Sequence, residues 1–348
     1  MLSLFIPVGI LVVASLVTLS ALSLHLFVLQ LVWVLLGIGI IAFFWFFDWR
    51  AIFNVSWAVG AFYVLVLFLM LFALLHGSVV RNTRSWIVLG PISIQPVEFM
   101  KAALILVYAA YFRRRHLAVA HWRTILTSFV FFAIPAAISV KLPDLGSALI
   151  FFGIWFGFLL LLGLPWRRIL AAIAIFAVAG IFAWHFVLRG YHRARILGFL
   201  YPQNNSLSIN YSETQSRIAI GSGGIWGAGY GQGTQAQLGF LSVPESDFVF
   251  ASLIEEWGLF GGLLVLGAFL VLVWRILAIG SVAKENFAKF ICLGIALMLS
   301  VQFFLNAGSV TGLLPVIGVT FPFLSYGGTS AIVDFFLIGI VNAIRRQS

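Results

Sequence analysis

Apolar runs of roughly twenty residues, the length that crosses a bilayer as a helix, recur along the whole chain. Charged or glycine-rich breaks separate ten of them, near residues 4–23, 26–47, 52–76, 96–112, 122–140, 146–163, 168–188, 248–274, 287–307 and 321–343. Within each run the apolar residues are continuous and do not alternate with polar ones, which favours helices over a membrane β-barrel. The expected fold is all-α and polytopic, with about ten transmembrane helices in one membrane domain covering residues 1–348. The rhythm breaks once. Between the seventh and eighth runs, residues 189–247 form a polar, glycine-rich stretch with four arginines, Arg189, Arg193, Arg195 and Arg217, and deliver Asp247 to the mouth of the next apolar run.

Composition agrees with the pattern. At 63% hydrophobic and 9% charged residues, with a mean hydropathy of +1.13, the chain lies far from soluble globular domains. Its wealth of phenylalanine and tryptophan suits lipid-facing helices with aromatic belts at the interfaces. The first charge is Asp48, so no basic segment precedes the first run, and Leu4 onward reads as a mature span rather than a cleaved leader. Cys292 is the single cysteine, which excludes an intramolecular disulfide framework. The histidines show no pair-plus-carboxylate spacing, so no histidine metal site is expected.

Charge sets the orientation. An even number of spans puts both termini on one side, where Arg345 and Arg346 close the chain. Short loops on that side hold Arg50, Arg113, Arg114, Arg115, Arg123, Arg167, Arg168, Arg275, Lys284 and Lys289, which with the last two make twelve of the twenty basic residues. That side is therefore read as cytoplasmic. Arg81, Arg84, Lys101, Lys141 and the four arginines of 189–247 fall on or near the outer face, and 189–247 becomes a large extracytoplasmic loop. Two readings stand for these outer cations: a solvated loop, which the charge rule partly exempts, or a basic cavity for phosphate. The net charge of +10 is mostly topological and gives no reason to expect a nucleic-acid partner.

Ionisable groups within or at the ends of membrane spans are costly and mark functional candidates. Here they are Glu98, Lys101, Asp144, Asp247, Glu255, Glu256 and Asp334. Glu98 and Lys101 lie three apart on one helical face and should pair, as a packing device or as part of a site. Asp144, after Pro143 and before Gly146, could cap a helix or face a substrate. Asp247 could also cap, but it shares its face with the arginine-bearing loop, and a carboxylate at a partly dry interface is suited to take a proton as a general base. Glu255 and Glu256 lie two turns along the same run and are read either as structural or as steering protons or a cation. The stretch Gly221-Ser222-Gly223-Gly224 lacks a Walker lysine and a preceding strand, so backbone beside a cavity fits better than a nucleotide loop. Gly153 and Gly157 form a small-xxx-small packing pair.

Several motifs, in order, carry a resemblance. They are Arg84-Ser85-Trp86-Ile87 with Gly90; Gln95-Pro96-Val97-Glu98-Phe99 with Lys101; Pro143-Asp144-Leu145-Gly146-Ser147; and Arg193-Ala194-Arg195-Ile196. Next come Ser216-Arg217-Ile218-Ala219-Ile220-Gly221-Ser222-Gly223-Gly224, Gly231-Gln232-Gly233-Thr234-Gln235, and Ser246-Asp247-Phe248-Val249-Phe250 with Glu255-Glu256. Asn306 and Pro322-Phe323-Leu324-Ser325-Tyr326-Gly327-Gly328-Thr329-Ser330 complete the set. The chain resembles the SEDS family (shape, elongation, division and sporulation) of peptidoglycan polymerases, and Gly233-Thr234-Gln235 favours its RodA-like branch over the FtsW-like one. It departs from the family pattern at Val97, Ser242-Val243 and Glu245, and Asp334 matches no family role.

The resemblance implies a glycosyltransferase of the bacterial cytoplasmic membrane that polymerises lipid II with inversion. Asp247 would be the catalytic base. Lys101, Glu98, Arg193, Arg195, Arg217, Asp144 and Ser246 would bind substrate. The implied partners are a class B penicillin-binding protein, the lipid II substrate and membrane lipids. A divalent cation, Mg or Mn, could bridge a carboxylate and the diphosphate, although the sequence shows no all-protein cage for one. Two other classes stay open: a lipid II flippase, since buried ions serve transport as well, and an inactive scaffold for the transpeptidase.

Overall fold

The computed structural model of the chain describes residues 2–46, 55–80, 83–90, 92–186, 190–201 and 211–347. Each of the ten expected runs contains a helix among the described residues. The first three are α1 (Leu2–Leu22), α2 (Leu24–Phe46) and α3 (Ser56–His76). After a small sheet come α4 (Pro96–Phe112), α5 (Trp122–Lys141), α6 (Leu145–Leu161) and α7 (Trp166–Phe186). The loop between the seventh and eighth runs is itself partly helical, with α8 (Gly190–Leu200), α9 (Tyr211–Ser222) and α10 (Thr234–Gln237). Then α11 (Val249–Val282), α12 (Asn286–Val310) and α13 (Gly328–Gln347) close the bundle. Among the described residues, seven helices are long and apolar enough to cross a bilayer, and α6 is a shorter apolar helix.

Two features depart from the expected pattern. The connection before α4 is a three-stranded antiparallel meander, β1 (Ser78–Val80), β2 (Thr83–Leu89) and β3 (Ile92–Ile94), with Val88 opposite Ser93 and Leu89 opposite Ile92. Its cause is local: isoleucine and valine favour extended backbone, and Gly90 turns the chain at φ +63°. The last helix starts at Gly328 rather than near 321, because Pro322 has no N–H for a helix and Phe323 sits at φ +61°.

The core is α4. All its residues from Pro96 to Ala109 except Phe99 are buried, and Pro96 opens it at a first-turn position where proline is tolerated. Helices α3, α5, α6, α12 and α13 pack around it. Small residues let α6 and α12 approach: a Cβ at Gly153 would strike Val301, and one at Gly157 would strike Leu297. The outer helices present apolar side chains to the surroundings, Leu24 and Phe46 on α2 and Trp57 on α3 among them, as lipid-facing surfaces do.

Candidate active site

The turn from Val243 to Phe248 leads the chain into α11, with the N–H groups of Ser246 and Phe248 both donating to Val243 O at 3.3 Å. The N-cap position of α11 is taken by Phe248, which has no side-chain cap bond, and Asp247 directly precedes it. The buried Ser246 hydroxyl donates to Asp247 Oδ1 at 3.0 Å. The backbone of the turn is tied down at each residue. Tyr326 N–H donates to Glu245 O at 2.8 Å, Ser325 Oγ–H to Ser246 O at 2.6 Å, and Asn306 Nδ2–H to Asp247 O at 3.0 Å. Asn306 also donates to Val319 O at 2.7 Å. Gly318 comes so close that a Cβ there would lie 3.4 Å from Asp247 Oδ2. A half-buried carboxylate is thus held in one place by the segment running from Ile317 to Tyr326.

A second polar cluster packs on the same segment. Lys101 Nζ meets Glu98 Oε2 at 2.6 Å, the lysine 1% and the glutamate 7% exposed, so the expected pair forms inside the bundle. Asp144 does cap α6, accepting from Ser147 N at 3.0 Å and Ser147 Oγ at 2.8 Å, and it also lies within electrostatic reach of Glu98 and Lys101. A Cβ at Gly146 would strike Val319 at 2.7 Å, which puts the start of α6 against the stretch that touches Asp247. Asp334, the carboxylate without a family role, is buried on α13, within reach of the same Lys101 and Glu98, and accepts the Phe323 N–H. It thereby anchors the left-handed residue of the Asp247-holding segment to the last helix. One lysine stands among three carboxylates, and its charge is already matched by Glu98.

The arginines separate. Arg217 on α9 pairs with Glu213 at 2.9 Å and keeps its side chain 45% exposed. It packs on Gly312, where a Cβ would lie 3.0 Å from Arg217 Nε, in the same α12–α13 connection that reaches Asp247 through Gly318. Ser216 Oγ–H, donating to Val310 O at 2.8 Å, fixes α9 there. Arg193 on α8 instead donates to His185 O at 2.9 Å. Arg195 lies on α8, but its side chain is outside the described residues, as are Arg189, Arg81 and the side chain of Arg84. Lys141 ends α5 and is exposed. Asp247, Ser246, Lys101, Glu98 and Asp144 are therefore gathered about residues 317–326, while Arg217 stands at the edge of that segment and Arg193 is pinned to the end of α7.

The glycine-rich stretch is a clasp. Helix α11 breaks at Gly258, φ +67°, where a Cβ would collide with Ile225 O and Gly227 N. Ala228 and Gly229 donate to the carbonyls of Glu255 and Glu256 at 2.9 and 3.0 Å, and Leu259 N–H returns a bond to Gly224 O at 2.9 Å. Buried Glu255 accepts from Gln235 N at 2.7 Å and Ala236 N at 3.2 Å, and Glu256 from Gln237 Nε2 at 3.3 Å. Both glutamates therefore bind the loop on its way to Asp247, the structural side of the two readings. Sequence reasoning missed Glu213, whose i,i+4 spacing to Arg217 was the available signal. It also gave no role to Asn306 or Ser325, because side chains that bind backbone carbonyls leave no periodic trace.

Comparison with known proteins places this geometry. The profile of the cell cycle protein family FtsW/RodA/SpoVE matches residues 1–348. Peptidoglycan glycosyltransferase MrdB of Escherichia coli K12 is 35% identical over 285 residues, 82% of this chain and 77% of that protein. Stage V sporulation protein E of Bacillus subtilis is 33% identical over 335 residues, 90% of this chain and 85% of that protein. Among solved structures, a chain from a peptidoglycan synthase complex that coordinates polymerization and crosslinking superposes with a TM-score of 0.85 at 29% identity, covering 100% of this chain and 98% of that one. The rod shape determining protein RodA of Thermus thermophilus superposes with a TM-score of 0.73 at 26% identity, covering 100% and 97%. With its whole length inside the family and its fold shared throughout, this multi-pass membrane chain belongs to the FtsW/RodA/SpoVE family, the SEDS peptidoglycan glycosyltransferases.

Proposed function

We propose that the chain polymerises lipid II, an undecaprenyl-diphosphate-linked disaccharide pentapeptide, into glycan strands with inversion at the donor sugar, and that Asp247 is the general base. The 4-hydroxyl of the acceptor's GlcNAc attacks C1 of the donor's lipid-linked MurNAc. The C1–O bond breaks, the diphosphate leaves with the bonding pair, and the hydroxyl proton passes to Asp247. A neutral sugar hydroxyl needs that base at neutral pH. The observation that carries the reading is the fixation of Asp247: Ser246 orients its carboxylate and Asn306 and Ser325 hold its turn, which is the pre-positioning that proximity catalysis needs.

Arg217 is the cation we assign to the departing diphosphate, because its side chain is exposed beside the segment that holds Asp247. Arg193 and Arg195 on α8 are assigned to the same anion by the family resemblance alone, since Arg193 is bonded to His185 O at the end of α7. Lys101, Glu98 and Asp144 form the polar floor of the substrate site. Among the described residues no three His, Cys, Asp or Glu side chains gather as a metal cage. Asp247 is the residue that would share a Mg or Mn ion with diphosphate oxygens, and such an ion would supply further charge neutralisation. Arginine-rich short loops support cytoplasmic termini, with Asp247 at the outer face. A class B penicillin-binding protein is the proposed partner, by likeness to the synthase complex.

The test is incubation of the purified chain and transpeptidase with lipid II, followed by gel separation of products and assignment of the new anomeric linkage. Long strands with inverted linkages support the reading. Movement of lipid II across proteoliposomes without strands would support the flippase alternative instead.

A further inference from the structure

The ends of α5, α6 and α7 remote from Asp247 enclose a second feature. The first turns of α5 and α7 and the last turns of α6 leave a cavity of ≈ 220 Å³ whose walls include Trp122, Ile125, Phe129, Trp155, Leu159 and Phe176. Its single charged wall residue is Arg168. The guanidinium lies 5.3 Å from the Trp122 ring centroid, and its Nη1 is buried with no hydrogen-bond acceptor among the described residues. A buried guanidinium N–H without an acceptor is costly and calls for an anion. On the helices that line the cavity and their connections, from Arg113 to Arg168, the sole acidic residue is Asp144, which caps the far end of α6.

The apolar part of the cavity opens sideways. Trp122, Leu126 and Ile175 are 60%, 66% and 61% exposed, so the slot faces where lipid would lie. Between Arg168 and Phe176 it follows α7 for about 12 Å, and its floor is aromatic, with Phe176 4.7 Å from Phe152 and 5.8 Å from Trp155 between ring centroids. Arg123 and Arg167 neighbour Trp122 and Arg168 in sequence and leave this end of the bundle positively charged. An arginine in the wall of an apolar slot, with a guanidinium N–H that has no acceptor among the described residues, matches a phosphate joined to an acyl chain.

We propose that this cavity binds an anionic glycerophospholipid of the surrounding leaflet, its phosphate on Arg168 and one acyl chain in the slot between α5, α6 and α7. The site is independent of the polymerase reading. Basic pockets between membrane helices hold anionic lipid headgroups by this combination of charge and apolar contact.

Native mass spectrometry of the detergent-purified full chain, delipidated and then given phosphatidylglycerol or phosphatidylcholine, tests it. Phosphatidylglycerol is expected to stay bound to the wild type. Arg168→Gln should weaken its retention roughly fivefold, the weight of one arginine near anionic headgroups. Arg168→Lys should retain most of it, and Ala172→Phe, at a wall position of the slot that the larger ring would fill, should lose it while thermal unfolding stays cooperative. Glycerol phosphate without acyl chains should not compete. Equal retention of phosphatidylglycerol by the wild type, Arg168→Gln and Ala172→Phe would overturn the proposal, as would equal retention of the two lipids or displacement by glycerol phosphate.

Discussion

One side-chain amide, that of Asn306, joins the two pieces of backbone that meet at the site, donating to Asp247 O at 3.0 Å and to Val319 O at 2.7 Å. Asn306 is fully buried, so its loss strands two carbonyls at a cost of about 1–3 kcal/mol for each unsatisfied group. Asn306→Ala should lower the melting temperature and cut polymerisation on the order of 100-fold, the scale expected when a catalytic group shifts by about 1 Å. Initial rates on lipid II, beside thermal unfolding, check this. An unchanged rate in the folded variant would mean that Asp247 is held without Asn306.

The Lys101–Glu98 pair is buried, so its two halves are not independent. Removing one partner leaves a lone buried charge, at a cost of about 3–5 kcal/mol. Lys101→Met should therefore unfold far more readily than the wild type. The double variant Lys101→Met with Glu98→Gln should regain most of that stability while remaining poor at polymerisation, because the polar floor is gone. A double-mutant cycle on unfolding and on rate separates the two effects.

Gly258 is fixed by both conformation and space. Any Cβ at φ +67° is strained and would also strike Ile225 O and Gly227 N. Gly258→Ala should release the clasp that joins the glycine-rich loop to α11, with a marked loss of thermal stability. Gly267→Ala, on the same helix with open space around it, should be tolerated. Comparable melting of the two variants would contradict the clasp.

Burial raises the Glu213 carboxyl above its usual range, against the opposing pull of Arg217. An acid held higher in the folded chain than in the unfolded one favours folding while protonated. That advantage fades as pH climbs from the unfolded value, about 4.3, through the folded one. The stability of the wild type relative to Glu213→Gln should therefore fall as pH rises across that window. Melting curves at a series of pH values measure it, and a difference independent of pH would remove Glu213 as the cause.

The helical runs were legible in the sequence because span length and continuous apolarity are imposed by the bilayer. The meander before α4 was hidden by its shortness, and the late start of α13 by the apolar side chains of 321–326, which pack as a turn. Charges were read at the right places but with uneven roles. The Glu98–Lys101 pair and the Asp144 cap follow from spacing alone. The binding of Glu255 to Gln235 and Ala236, and of Asp334 to Phe323, depends on tertiary placement that no local pattern encodes. Asp247 stood out by its setting, whereas Asn306 and Ser325, which hold its turn, looked like ordinary polar residues in helix and loop.

The central claim, that Asp247 takes the proton, is tested most directly by the rate of glycan-strand formation from purified lipid II with the transpeptidase present, wild type against Asp247→Asn. Asparagine keeps the size and can still accept from Ser246 but cannot act as the base. The account predicts a folded variant whose rate falls by a factor on the order of 10²–10⁴. Polymerisation at the wild-type rate by that variant would contradict it.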